Sequence, residues 1–167
     1  MLNLYLEDNE WEKAKSYKDR EVVRAVVLEN DKILILQINR DDAFGNARYL
    51  ETPGGGVDIG ESLEGALKRE LDEELGVKVE ILQELGTVTD YYNKLNRRNI
   101  NHYFLVKVIG YTKIHHVSVG DSLIEGILKL DIDDILKEYQ KERTEKIIRL
   151  VYNREEPVFK ETLKYLG

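Results

Sequence analysis

GGVDIGESLEGALKRELDEELGV, running from Gly55 to Val77, is the stretch whose reading decides the fold. Ser62 is placed to cap a helix, its hydroxyl accepting from a first-turn amide that has no carbonyl partner. Gly76 stands where a left-handed residue closes one. Between them Leu63, Leu67, Leu71 and Leu75 form a single apolar stripe, so a helix is expected over Ser62–Leu75. On the same helical wheel Glu70, Glu73 and Glu74 fall within an arc of roughly 100°. Glu74 lies in angle between Leu63 and Leu67, at the edge of the buried stripe and not opposite to it.

Acids crowded in this way repel. Like charges four residues apart cost ~0.2–0.5 kcal/mol on an exposed helix. At about 4 Å and an effective dielectric of ~20 the repulsion approaches about 4 kcal/mol. A cation should offset it, and Lys68 and Arg69 are expected to project elsewhere. Hard oxygen ligands clustered without cysteine or histidine suit Mg²⁺ or Mn²⁺. A solvated acidic helix face is the alternative that the wheel alone leaves open.

The whole chain sets the frame. Its 167 residues carry 25 Lys plus Arg against 32 Asp plus Glu, a formal charge of −7. That size is usual for one domain, expected here over residues 1–167, and a net acidic chain is not expected to be a general nucleic-acid binder. There are no cysteines, which excludes disulfides, thiolate zinc sites and a cysteine nucleophile. The first twenty residues are charged every few positions, unlike a secretory signal, and no apolar run approaches the ~20 residues that span a bilayer. A soluble, cytoplasmic protein is the expectation.

Outward from the central stretch, the pattern is mixed. Leu2, Leu4 and Leu6 alternate with polar residues as a short strand does, making residues 1–20 a strand or arm. EVVRAVVLE (21–29) and KILILQI (32–38) flank Asn30-Asp31 as a hairpin. Asn39–Ala47 reads as a polar loop and Tyr49–Glu51 as a short strand. Further strands are expected at Val79–Leu85, Thr87–Tyr92, His102–Ile109 and Leu123–Leu130. Helices are expected at Ile132–Tyr139 and Thr144–Asn153, with a short one after Pro157, so residues 131–167 are helical. Trp11–Tyr17 fits no pattern. The fold class is α/β, a mixed sheet packed between helices.

The spacing within the central stretch carries more than a helix. Gly55, then Glu61, then Arg69-Glu70-Leu71-Asp72-Glu73-Glu74-Leu75-Gly76-Val77 match the Nudix box at every defined position, and the Pro53-Gly54-Gly55 entry precedes it. The chain therefore resembles the Nudix hydrolase family over most of Val22–Leu130. That resemblance implies an α/β/α sandwich in which the box forms a loop–helix–loop. It implies a pyrophosphohydrolase that uses divalent metal to cleave a nucleoside triphosphate, or a nucleoside diphosphate linked to another moiety. By motif position Glu70 and Glu74 look like the principal metal ligands, Glu73 like a further ligand or support, and the Gly55 carbonyl like a backbone ligand. Arg69 and Glu61 look like the family's structural pair. The general base is open between Glu70 and a carboxylate of the loop VSVGDSLIEGILKL, Asp121 or Glu125, although Asp121 after Gly120 is also an ordinary turn residue. Thr52 departs from the family, which commonly has a bulky apolar residue there.

For substrate the signals thin out. Asn93 stands where the ADP-ribose subgroup usually has proline. Tyr92 falls slightly short of the dinucleoside-polyphosphate subgroup's tyrosine. Tyr91, Tyr92 and Tyr103 could stack on a base, though strand aromatics are commonly packing residues. Lys94, Arg97 and Arg98, in an expected loop, and Arg40 after the second strand are candidates for holding phosphates. A small-molecule nucleotide is the expected partner, with neither nucleic acid nor membrane; family members are often homodimers, and the N-terminal strand is a candidate exchange or pairing element. Two other readings compete. A non-catalytic nucleotide-binding module on the same fold would be expected to lose box carboxylates, and none is lost here. A prenyl diphosphate isomerase usually relies on a cysteine.

Overall fold

Ala25, Val26 and Val27 follow one another and are all fully buried, which a strand permits only where both faces of its sheet are covered. The computed structural model describes residues 1–116 and 120–167. In chain order these form β1 (Leu2–Leu6), β2 (Lys18–Glu29), β3 (Lys32–Asp42), β4 (Gly45–Glu51), β5 (Gly54–Gly56) and α1 (Leu63–Leu75). They continue as β6 (Val77–Tyr92), β7 (Arg97–Tyr111), β8 (Ile124–Leu130), α2 (Ile132–Tyr139) and α3 (Lys146–Thr162). Among the described residues no helix is long and apolar enough to cross a membrane.

The strands join in the order β1-β6-β7-β2-β3-β4, with β5 added to β2 and β8 to β3. The β1–β6 and β2–β7 pairs are parallel and the others antiparallel, so the sheet is mixed as expected. Helix α1 packs on β2, β5 and β6, while α3, joined to α2, packs on β1, β4 and β6. β2 meets β3 only over Val27–Glu29, beyond the Asn30 turn, where Asn30 takes the left-handed φ of 58° that a tight hairpin asks of it. Further along, β3 leaves to pair with β4, and β5 takes over the edge of β2 at Val22–Arg24. The sheet forks there, and a cleft opens in the fork.

Several boundaries differ from the sequence reading, each for a physical reason. Asn39–Ala47 is not a loop: β3 runs to Asp42 and β4 starts at Gly45, a hairpin whose polar residues reflect exposure past the covered part of the sheet. The two strands read around Gly86 are one, β6, with Gly86 at a register shift. There its φ is +118°, and an added Cβ would lie 2.1 Å from the Leu2 carbonyl oxygen. Only glycine lets β1 come alongside. Pro157 does not end a helix either, since α3 continues through it to Thr162. The missing N–H is tolerated because Arg154, Glu155, Val158 and Phe159 around it are all buried and tied down. Trp11–Tyr17 forms no regular element, but Asn93 fixes this arm. Its side-chain amide donates to the Asp8 and Trp11 carbonyls, and its oxygen accepts from the Tyr17 hydroxyl at 2.7 Å.

Candidate active site

Ser62 caps α1 as its sequence predicts, accepting from the Gly65 N–H at 3.0 Å, and Gly76 closes it with a φ of 65°. The Leu67, Leu71 and Leu75 stripe is buried, and Glu70, Glu73 and Glu74 are drawn in with it at 8%, 9% and 5% exposure. The side chains of Glu70 and Glu74 line a cleft of about 270 Å³ at the fork of the sheet. Asp121, buried in the turn Gly120–Leu123, joins them from the other side. Glu74 accepts from the Gly54 N–H at 2.7 Å. Burial dominates its protonation: opposed by the Gly54 bond and reinforced by Asp121 and Glu70, it pushes the Glu74 carboxyl up to about 9. Burial likewise raises Glu70, against the pull of Arg69. The Glu70 carboxyl occupies space beside Gly55 into which a Cβ would intrude at 2.5–2.7 Å, so the entry glycine is what admits it.

Arg69 corrects one expectation. It does not project away from the acids but binds back to them. It clasps Glu61 at 2.7 and 2.9 Å, donates to Glu70 at 3.0 Å and to the Gly56 carbonyl at 3.1 Å, and lies 3.5 Å from Glu73. The bidentate arginine, with an Asp58 N–H, holds Glu61 down to about 2. Glu73 thus faces Arg69 and is not among the cleft residues, whereas Glu70, Glu74, Asp121 and the Gly55 backbone are.

The other candidates divide by strand parity. Arg40, Tyr92 and Arg97 line the cleft; Arg98, one residue on, turns to the other face and pairs with Asp19 at 3.2 Å. Both arginines stand on β7 and not in a loop. Glu125 is also out of place as a base, since it points to Arg48 at 3.3 Å on the exposed side of β8. Lys94 lies over the Trp11 ring and Tyr91 packs on Tyr17. Tyr103 is buried beneath the cleft, its hydroxyl donating to Glu155 at 2.5 Å, so it offers no face to a base. Residues 117–119 of the candidate base loop lie outside the described residues.

Sequence reasoning missed the floor of the cleft. Arg24 donates to the Thr52 carbonyl at 2.8 Å and lies 3.7 Å from Glu51. Arg154, from α3 and 1% exposed, reaches Glu51 at 2.6 Å, the Tyr92 hydroxyl at 2.8 Å and the Tyr103 hydroxyl at 2.9 Å. Its neighbour Glu155 accepts both the N–H and the hydroxyl of Thr52, at 2.6 and 3.0 Å. The threonine that departs from the family pattern is therefore the bolt between the glycine entry and α3. No spacing rule links β2, β4 and α3, so nothing local signalled it.

The donor set suits a hard divalent cation: three buried carboxyls, two with raised proton affinity, and no nitrogen or sulfur. Among the described residues no three such side chains are already drawn together as an ion cage. The same cleft is lined by Arg20, Arg24, Arg40 and Arg97 and by Leu36, Ile38, Phe44, Leu123 and Ile124. Carboxylates, arginines and apolar side chains around one cleft suit a ligand with several phosphates and a flat apolar part.

The family model for the NUDIX domain matches residues 18–151. The chain belongs to the Nudix family, and its fold is that of Nudix hydrolases. A Haemophilus influenzae relative named 8-oxo-dGTP diphosphatase is 46% identical over 55 residues, 33% of this chain and 40% of that protein. The match thus spans less than half of that relative's length. Among solved structures, a NUDIX hydrolase from Nitrosomonas europaea shares the fold with a TM-score of 0.66 at 22% identity, covering 89% of this chain and 90% of the other. The E. coli ORF135 protein does so with a TM-score of 0.64 at 21% identity, covering 89% and 91%.

Proposed function

We propose that the chain is a Nudix pyrophosphohydrolase that cleaves a phosphoanhydride bond of a nucleoside triphosphate, or of a nucleoside diphosphate linked to another moiety. One observation carries this: the box carboxylates Glu70 and Glu74 open onto the same cleft as four arginines. The naming of the Haemophilus influenzae relative as a nucleotide diphosphatase supports it. Glu70, Glu74, Asp121 and the Gly55 carbonyl would hold Mg²⁺ or Mn²⁺, with Glu73 acting through Arg69. A divalent ion held there would offset the repulsion between the acids and the phosphate nearest them, and it would acidify water.

The chain's own groups do the rest. Arg69 fixes the Glu70 carboxyl and the Gly54 N–H fixes Glu74, so the acids meet the substrate already oriented. Glu70 or Asp121 takes the proton of the attacking water as its oxygen bonds to phosphorus. The P–O–P bond breaks on the far side, and its bridging oxygen leaves with the departing phosphate. A panel of nucleotides with Mg²⁺, scored for released phosphate and pyrophosphate, tests this reading. Hydrolysis is expected with Mg²⁺ and not with EDTA, and Glu74→Gln should abolish it while the far-ultraviolet spectrum stays unchanged. Turnover undiminished in that variant would refute the assignment.

A further inference from the structure

Of the four cleft arginines, two are already engaged. Arg24 serves Glu51 and Thr52, and Arg40 is clasped by Asp42, with Tyr49 at 3.0 Å. Arg20 and Arg97 differ: among the described residues neither donates a hydrogen bond from its side chain or makes an ion pair. Parallel pairing of β2 with β7 sets Lys18 against Arg97 and Arg20 against Asn99, which puts the two guanidinium side chains on one face, a diagonal step apart. The head of Arg20 is braced against Gly56, where a Cβ would come within 2.9 Å of its Nη2. Desolvation among the cleft walls, then the charges of Arg97 and Arg24, lower its proton affinity. Two cations that repel each other beside a substrate cleft, with no carboxylate spent on either, are set for an anion.

We propose that Arg20 and Arg97 form a clamp for a terminal phosphate, making a nucleoside triphosphate the preferred substrate over a nucleoside diphosphate capped by a sugar. The chemistry discriminates. A terminal phosphate carries about −1.5 to −2 charge and three free oxygens, enough for two guanidinium forks. A phosphate esterified on both sides has one charge and two free oxygens, and its sugar would stand where the second fork must reach. With its terminal phosphate on this pair, the chain of phosphates extends toward Glu70, whose charge Arg20 also senses. The inference rests on the proposed hydrolysis for its substrate class, but not for the anion site itself.

The test therefore has two arms, each run on Arg20→Gln, Arg97→Gln and, as a control on the opposite face, Arg98→Gln. In calorimetric titration with inorganic tripolyphosphate in EDTA, wild type and Arg98→Gln should bind alike, and each cleft variant about tenfold or more weakly, the loss expected for a charge-assisted hydrogen-bond pair. In kinetics with Mg²⁺, each cleft variant should raise KM for a nucleoside triphosphate by about the same factor, with kcat changed less. KM for the matching nucleoside diphosphate sugar should rise by a clearly smaller factor, because neither of its phosphates has three free oxygens. Melting temperature should not fall in either variant, because each removes a like-charge repulsion. Tripolyphosphate binding unchanged by both substitutions, or equal losses on both substrates, overturns the clamp. Binding that depends on the pair in a protein that hydrolyses no nucleotide leaves the clamp standing and defeats the proposed hydrolysis; hydrolysis indifferent to the pair does the reverse.

Discussion

Glu74 illustrates how one position can be a liability for folding and an asset for chemistry. It is almost fully buried, it accepts from the Gly54 N–H, and the side chains beside it, Glu70 and the hydrogen-bonded Asp121, are also acids. Glutamine at this position keeps an oxygen for the Gly54 N–H and loses only the ionisable group. Without metal, Glu74→Gln should melt at the same temperature as wild type or higher, while Mg²⁺ should no longer raise its melting point; calorimetry with and without the ion checks both. Gly55 makes a complementary case. Its Cβ would run into the far end of Glu70, a side chain that can swing aside. Gly55→Ala should therefore cost little stability and much activity, seen as a large fall in kcat/KM with a nearly unchanged denaturation midpoint.

Among the elements, α3 shows what a sequence conceals. The box helix was legible because cap, stripe and closing glycine all lie within one short stretch, and so were the acids that define the cleft. Arg154 offered no such signal: it is a charged residue shortly before a proline, yet it sits 1% exposed among Glu51, Tyr92 and Tyr103. Arg154→Met should cost about 3–5 kcal/mol, because it strands buried acids that Arg24 alone does not satisfy. Chemical denaturation measures this. The N-terminal arm was illegible for a similar reason, its order resting on Asn93 far along the chain. Its Trp11, the only tryptophan, meets the cleft residue Phe44 edge-on at 5.4 Å. Nucleotide binding should shift tryptophan emission, and Phe44→Ala should remove most of that response in a fluorescence titration.

At the scale of the whole molecule, charge sets the response to acid. Burial would raise Glu51, but Arg24 and Arg154 overcome it and hold the group below its usual range; Arg69 holds Glu61 at about 2. Groups with depressed folded-state values stabilise fully above their unfolded values and lose that contribution as pH falls through the folded ones. Melting temperature should thus begin to drop as pH passes below about 4.5 and continue dropping toward about 2. Glu61→Gln should flatten part of that slope. The parallel join of β1 to β6 has a consequence of another kind. Synthesis delivers Leu2 long before Gly86, the residue beside which it must settle. The opening strand therefore waits, unpaired, while the middle of the protein is still being made, and the sheet can gain that edge only late in folding. Any bulk added at Gly86 would prolong the wait indefinitely, leaving β1 loose beside an otherwise assembled sheet.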